Sequence, residues 1–325
     1  MRTNKFLAVG LLATMILGSC SNNEDPANTP GTDEIQLNAG IGVQTRGEGV
    51  ISPDYEKDLK VAFARYDAVN TAAWAGLDLK AVRIGGSGAT PIAFEMTQTY
   101  DLVTPTNSTT LIGYYPRPGV TPSSTGTDPF NAQYTIDGST DIMATNPVNG
   151  SKSSPINKPI TFNHQLAQLQ FRCVGSSEAI AKWQDIAIKV KSVPTALSLK
   201  INKGANPLLT ADTPGVDGDL DVVGGSKTPQ SPDEANPTTG YVMLYPVVNL
   251  GTDGKALSVE ITGLYDSGSQ TKTVSIKNIA GGLQKGVSHL ITLIFTVDGD
   301  ISASATADIA PWNPGNAGSS VVTPN

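Results

Sequence analysis

Residues able to perform acid–base or metal chemistry are scarce in this chain. The two histidines are His164 and His289, and neither has a companion at the spacing of a metal-ligand pair. His289 lies within an alternating apolar stretch, and we interpret His164 as a structural residue at a strand entrance. The sequence has no Gly-x-Ser-x-Gly, P-loop or complete Gly-x-Gly-x-x-Gly motif. We therefore predict a protein that is not an enzyme and that uses no cofactor or metal.

One acidic motif has the composition of a calcium loop. Asp217, Asp219 and Asp221 place three carboxylates at alternate positions. An EF-hand needs glycine at position six, where this chain has Val222, and a glutamate at position twelve, which is also missing. A solvated turn is therefore the better interpretation of residues 217–221, with calcium binding as the alternative.

The two cysteines have different predicted fates. Basic Arg2 and Lys5, the apolar run 6–17 and Leu-Gly-Ser-Cys ending at Cys20 together form a bacterial lipoprotein signal at 1–20. We expect Cys20 to be acylated and to anchor the exported protein to the outer membrane. Only Cys173 then remains, so no intramolecular disulfide is available, and its apolar neighbours favour a packed, unreactive thiol.

Composition limits the class of protein. The chain has 325 residues, 33 glycines, 22 prolines, 16% charged residues and a net charge of -7. Many short strands joined by turns explain such a mixture, and two domains fit the length. Because nucleic-acid binding needs clustered Lys and Arg, and no such cluster occurs, we predict no nucleic-acid partner.

The strands that position these residues are predicted from two-residue alternation. It predicts an all-β protein of two tandem β-sandwich domains, at 47–176 and 177–325. The longest strand of the first half is expected at 161–173, with a bulge at Leu166 and Ala167. Residues 203–239, rich in Gly, Pro and Asp, are expected to form a long surface loop with at most one hairpin.

An N-terminal segment carries the clearest alternation in the chain. Residues 21–46 comprise a polar tether followed by a leader strand, and the leader's inward positions are all apolar: Ile35, Leu37, Ala39, Ile41 and Val43. Arg46 and Gly47 follow directly. A strand tethered to a membrane and followed by a protease site is removable after folding, and its loss would leave an open sheet edge for another chain.

The C-terminal segment 301–325 is a second candidate for exchange. Its shared face is made of small residues between two isoleucines, followed by a large aromatic anchor: Ile301, Ala303, Ala305, Ala307, Ile309 and Trp312. Small side chains suit insertion into a narrow groove. A terminal edge strand with a frayed tail fits the same pattern.

Five features together resemble the fimbrillin, or Mfa-like, family of Bacteroidetes lipoproteins. They are the lipoprotein signal, the strand before Arg46, and the segments 162–169, 286–293 and 307–312. The resemblance spans the chain. It implies two transthyretin-like sandwiches, export to the outer membrane as a lipoprotein and assembly with other pilus subunits into a cell-surface fimbria that supports adhesion to host or bacterial ligands.

The same resemblance implies a processing step. An arginine-specific protease would cut after Arg46 and release the leader strand, and 301–325 would act as the donor to the next subunit. Two alternatives stay open: a lipid-retained anchor or tip subunit of the same pilus, and a surface glycan-binding lipoprotein that uses exposed aromatic residues such as Trp74, Tyr114 and Tyr115. Residues 114–116 fit a strand end packed on the core equally well.

Overall fold

The computed structural model describes residues 33–42, 51–68, 74–117, 130–212, 217–235 and 237–304, and almost every element in these ranges is a β-strand. The first nine strands are β1 Leu37–Ile41, β2 Leu59–Asp67, β3 Gly76–Arg83, β4 Thr90–Phe94, β5 Thr109–Tyr115, β6 Phe130–Thr135, β7 Met143–Ala144, β8 Val148–Gly150 and β9 Ile160–His164. The all-β prediction is thereby confirmed.

The second half begins with a strand and a single short helix. Its elements are β10 Ala167–Gly175, α1 Ser177–Lys182, β11 Trp183–Pro194, β12 Ala196–Asn202, β13 Ala205–Ala211, β14 Asp217–Asp221, β15 Val223–Gly224, β16 Thr239–Leu244, β17 Leu257–Tyr265, β18 Gly268–Ile276, β19 Ser288–Phe295 and β20 Ile301–Ser304. None of the described residues forms a helix with the length and apolar character needed to cross a membrane.

Strands of the first half pair in a closed ring. The sheet order is β2-β3-β4-β1-β9-β7-β5-β8, and β2 also pairs with β5, so seven strands return to their starting point. A hydrophobic cluster joins the strands of this ring. Phe63 packs against Phe94 and Phe162 at ring-centroid distances of 5.2 and 6.1 Å. Closure leaves the ring strands without a free edge, which is how barrels avoid unpaired backbone groups.

Strands of the second half form two sheets of a sandwich. One has the order β15-β16-β10-β19-β20 and the other β14-β11-β17-β18. Trp183 is fully buried between them, with its ring 5.2 Å from Tyr265 and 5.1 Å from Phe295. Its indole Nε1 donates to the Thr296 carbonyl at 3.2 Å. The buried ring therefore has a satisfied polar atom as well as apolar contacts.

Two elements connect the halves. β6, from the first half, pairs antiparallel with β12, which also pairs with β13. β10 pairs with β16 and β19 of the second half, although the sequence placed it in the first domain. Strands on either side of residue 176 thus pair with each other. The predicted domain division at that residue stays a prediction.

Three predictions about individual elements are wrong. The single strand expected at 161–173 is two strands, since β9 ends at His164 and β10 starts at Ala167 in a different sheet. The loop expected at 203–239 contains β13, β14 and β15. Within it, residues 217–221 are a strand and not a turn, because β14 pairs with β11 through residues 189–194.

Candidate functional site

The first-half ring holds β1 in an interior position. On one side β1 pairs antiparallel with β4, with Ala39 opposite Thr90. On the other side it pairs parallel with β9, with Ala39 opposite Ile160 and Ile41 opposite Phe162. We call the space between β4 and β9 the slot. Because β1 is the only described strand between them, its removal would open the ring at that point.

Backbone hydrogen bonds extend this pairing beyond the ends of β1. Ile35 N donates to the Gln98 carbonyl at 2.7 Å, and Tyr100 N donates to the Asp33 carbonyl at 2.9 Å. At the other end Gly42 N donates to the Phe162 carbonyl at 2.8 Å. The segment 33–42 is therefore paired along its whole described length.

Side chains of the leader alternate as the pattern requires. The inward positions Ile35, Leu37, Ala39 and Ile41 have exposed fractions of 2, 4, 0 and 5%. Gln36 is exposed on the opposite face. The large apolar residues each gain about 1.5–3 kcal/mol from full burial, so apolar packing contributes several kcal/mol to the leader's attachment.

Arg83 is the first polar group that contacts the leader. It is fully buried at the end of β3, and its Nε donates to the Ala39 carbonyl at 3.0 Å. Its Nη2 donates to the Gly86 and Gly88 carbonyls at 3.0 and 2.8 Å. Burial lowers the pKa of Arg83. The ordinary pKa of a guanidinium is so high that Arg83 nevertheless stays charged. The leader backbone thus completes the hydrogen bonding of a buried cation.

His164 is the second polar group at the slot. Its imidazole Nδ1 hydrogen-bonds to Asp141 Oδ2, and its Nε2 lies 3.1 Å from the Gly42 carbonyl oxygen. Both side chains are buried. The pairing of β7 with β9, which sets Met143 opposite His164, brings Asp141 to the ring. His164 is the last residue of β9, so it lies at a strand end and not at the strand entrance that the sequence predicts.

The slot also limits the side chain that fits at Gly42. A Cβ added there would be 3.3 Å from the Phe162 carbonyl oxygen and 3.5 Å from Asn163 Oδ1. The distance to the Phe162 oxygen is shorter than in ordinary side-chain packing. The slot therefore favours a strand with a minimal side chain at this position.

At the opposite end of the chain, β20 has one strand neighbour among the described residues. Ile301 lies opposite Phe295, and Ala303 lies opposite Leu293, both on β19. Both residues pack against the core but are only partly buried. β20 is thus an edge strand, attached by one ladder and a limited apolar contact.

Several predicted site residues lie outside the residues that the structure describes. They are the lipidation residue, the end of the leader, the cleavage pair and the rest of the donor segment: Cys20, Val43, Arg46, Gly47, Ala305, Ala307, Ile309 and Trp312. Their roles stay predictions.

The remaining chemical candidates are structural in their surroundings. Burial raises the pKa of the Cys173 thiol to about 12, so the nucleophilic thiolate is scarce at neutral pH. His289 is buried, and neither ring nitrogen has a hydrogen-bond partner among the residues that the structure describes. Burial lowers the pKa of His289, which keeps it neutral. Neither group has the partners that activate a catalytic residue.

The acidic motif is occupied by ion pairs. Lys191 Nζ lies 2.5 Å from Asp219 Oδ2, and Lys189 Nζ lies 3.2 Å from Asp221 Oδ1. The hydrogen bond from Lys191 lowers the pKa of Asp219. Across the described part of the chain, no three His, Cys, Asp or Glu side chains are grouped to hold a metal ion. Two of the three carboxylates of β14, those of Asp219 and Asp221, thus have cross-strand lysine partners.

The aromatic residues considered for sugar binding are mostly inside. Trp74 has an exposed fraction of 7% and Tyr114 of 0%, and the Tyr114 hydroxyl donates to the Leu77 carbonyl at 2.5 Å. Tyr115 is partly buried. The expectation that Trp74 is exposed is wrong, and for Tyr114 the alternative of a strand end packed on the core holds, because both rings pack against Phe130.

Sequence reasoning missed Arg83 and Asp141. Arg83 follows Leu77, Leu79 and Ala81 on the inward positions of β3, so strict alternation would have placed it inside. Asp141 carries no comparable local signal, because only the pairing of β7 with β9 brings it to His164.

Comparison with known proteins decides the family. A family model described as fimbrillin-like matches residues 80–312, which is more than half of the chain. The chain belongs to the fimbrillin-like family. The resemblance stated from the sequence is confirmed.

Solved structures share the fold of this fimbrillin-like chain. A proposed cell adhesion protein from Bacteroides uniformis is 14% identical, with a TM-score of 0.59 over 86% of this chain and 98% of its own. A second, from Bacteroides ovatus, is 16% identical, with a TM-score of 0.53 over 86% of this chain and 98% of its own. At these identities the likeness concerns the fold alone. No curated protein gives a significant match.

Proposed function

We propose that this fimbrillin-like protein is a pilus subunit that polymerises by strand exchange. It is exported as a lipoprotein acylated at Cys20, reaches the outer membrane, and is cut after Arg46 by an arginine-specific protease. The leader then leaves the slot, and a strand from a neighbouring subunit replaces it. The protein has no catalytic activity of its own in this scheme, and the assembled fimbria at the cell surface supports adhesion.

One observation carries the proposal: β1 is paired on both sides in an otherwise closed ring. Removal of an edge strand would leave a smaller complete sheet. Removal of the leader would instead expose two rows of backbone groups and the cavity that held the large apolar side chains of Ile35, Leu37 and Ile41. A new strand would recover both contributions, worth several kcal/mol in apolar burial and roughly 0.5–1.5 kcal/mol per hydrogen bond.

The donor in this scheme is the segment 301–325. Supporting it, β20 has a single strand neighbour in the described structure, and its attachment is weaker than that of β1. A slot and a donor at different places on a subunit make a heterologous contact. Repetition of such a contact gives an open filament when the rotation does not close a ring.

The test is assembly in solution. Purified precursor incubated with an arginine-specific protease should give a detergent-resistant ladder on an unheated gel, with Gly47 at the new N-terminus. The matched control is Arg46→Lys, which keeps the charge and removes the specificity residue. A ladder from the control, or complete cleavage after Arg46 without a ladder, would contradict the proposal.

A lipid-retained anchor or tip subunit is the second candidate, since a precursor that keeps its leader has a filled slot and terminates the fibre. N-terminal analysis of the surface protein separates the candidates. An acylated Cys20 at the N-terminus indicates the anchor, and Gly47 indicates the stalk or a processed tip.

A further inference from the structure

The hydrogen-bond partners of His164 fix a proton count. Nδ1 faces the Asp141 carboxyl and Nε2 faces the Gly42 carbonyl oxygen, which is 3.1 Å away. A carbonyl oxygen only accepts, and an ionised carboxylate only accepts. A neutral imidazole has a single N–H, so with an ionised Asp141 one ring nitrogen would direct a lone pair at an oxygen.

Two protonation states avoid this conflict. In one, an imidazolium donates from Nδ1 to the Asp141 carboxylate and from Nε2 to Gly42. In the other, protonated Asp141 donates to Nδ1 and the neutral ring donates from Nε2. Both contain one proton more than a neutral imidazole beside an ionised carboxylate. With the leader in the slot, the pair therefore holds this proton.

When the strand leaves the slot, the His164–Asp141 pair no longer needs the additional proton. Without the Gly42 carbonyl, Nε2 faces the emptied slot and can accept a hydrogen bond from water, so the neutral imidazole and ionised carboxylate become compatible. The proton on the pair and the strand in the slot are then linked, and the strand is held more tightly as the pH falls.

Other titratable side chains line the two cavities beside the pair. Lys285 lines a cavity of about 420 Å³ beside His164, and burial lowers its pKa. Tyr55, Tyr115 and Tyr241 line a cavity of about 150 Å³ beside Asp141, and burial raises the pKa of Tyr115 to about 12. Within the described residues none of these side chains hydrogen-bonds to Gly42, so none supplies a competing link through that carbonyl.

We propose that His164 and Asp141 form a proton-dependent clamp on the backbone of the strand that fills the slot. The clamp takes up one proton when a strand is seated and releases it when the strand leaves. The inference rests on the strand exchange proposed above and adds a positioning role for this pair. Arg83 grips the Ala39 carbonyl with a permanent charge and therefore acts independently of pH.

The experiment follows release of the leader from the full chain. Expression without export leaves Cys20 free for a fluorophore, while Cys173, with an exposed fraction of 3%, is protected. After cleavage at Arg46, an excess of unlabelled peptide spanning residues 33–46 prevents rebinding, and anisotropy reports the release rate between about pH 5 and pH 8. The rate should rise with pH, by at most about tenfold per pH unit for one linked proton.

Three variants separate the clamp from general stability. His164→Gln and Asp141→Asn should flatten the pH profile. Arg83→Lys, the matched control, should speed release by a similar factor at every pH and keep the slope. A wild-type release rate that does not change with pH, or a His164→Gln variant with the wild-type slope, would overturn the clamp.

A second measurement tests the clamp even if the variants do not fold or the cleaved leader does not dissociate. Hydrogen exchange of the amides of residues 37–42 in the uncleaved wild-type chain, corrected for intrinsic rates, should show opening that becomes more frequent as the pH rises. Opening that is independent of pH would equally refute the clamp. Release of the leader without a ladder would refute strand exchange and leave the clamp intact, whereas a ladder with pH-independent release would do the reverse.

Discussion

β1 and β20 are both short terminal strands, but the sheet holds them in different ways. β1 has a neighbour on each side and buries all its inward side chains, whereas β20 has one neighbour in the described structure and half-buried side chains. Loss of β20 removes the last strand of its sheet, whereas loss of β1 opens the closed ring of the first half. In a subunit that exchanges strands, the acceptor position belongs to the interior strand and the donor position to the edge strand.

The largest expected contrast comes from deleting each strand. A chain that starts at Gly47 loses β1, so the Arg83 guanidinium and the slot lose their partners. We expect its melting temperature to fall steeply and the chain to self-associate. A chain that ends at Asp300 loses β20 and should stay folded and monomeric. Thermal unfolding and size-exclusion chromatography check this. Equal destabilisation of the two chains would break the comparison.

A smaller contrast comes from single truncations of side chains. Leu37→Ala should lower the free energy of unfolding by about 2–4 kcal/mol, since it empties a buried position in the ring. Ile301→Ala should cost about 1 kcal/mol, since that side chain already contacts water. Denaturant titration of both variants measures the difference. Gln36→Ala, on the exposed face of the leader, is the control and should change stability by less than about 0.5 kcal/mol.

The smallest effect concerns Cys173, on β10, which β19 separates from β20. Burial holds the pKa of its thiol at about 12 against an ordinary 9.0, so the stability that this protonated thiol provides is complete below pH 9 and declines as the pH rises toward 12. Alkylation of Cys173 at pH 8 should be equally slow in the full chain and in the chain ending at Asp300. Rapid alkylation of the shortened chain alone would show that β20 closes this core.

Alternation predicted the strands with one buried face well. In the leader, Ile35, Leu37, Ala39 and Ile41 are buried and Gln36 is exposed, because the ring covers a single face of β1. The same rule failed between β9 and β10. There Gln165, Leu166, Ala167 and Gln168 are all buried, with exposed fractions of 2, 1, 0 and 1%. The chain crosses there from one sheet to another through the interior, so alternation no longer distinguishes inside from outside.

The polar parts of the site were harder to predict for two different reasons. Arg83 occupies an inward position, but its charge argued against burial, and only the surrounding carbonyls make that burial tolerable. Asp141 and His164 are 23 residues apart in sequence and meet through strand pairing. The strands β13 and β14 were missed because cross-strand partners stabilise residues whose intrinsic strand preference is low.

The mixed pairing of β1 has a consequence for the symmetry of a fibre. β1 runs antiparallel to β4 and parallel to β9, so a replacement that keeps both hydrogen-bond patterns has to run in the same direction as β1. Every subunit added in this way would have the same orientation as the one before it. The resulting fibre would be polar, with an unfilled acceptor at one end and an unused donor at the other, and the two ends would elongate by chemically different steps.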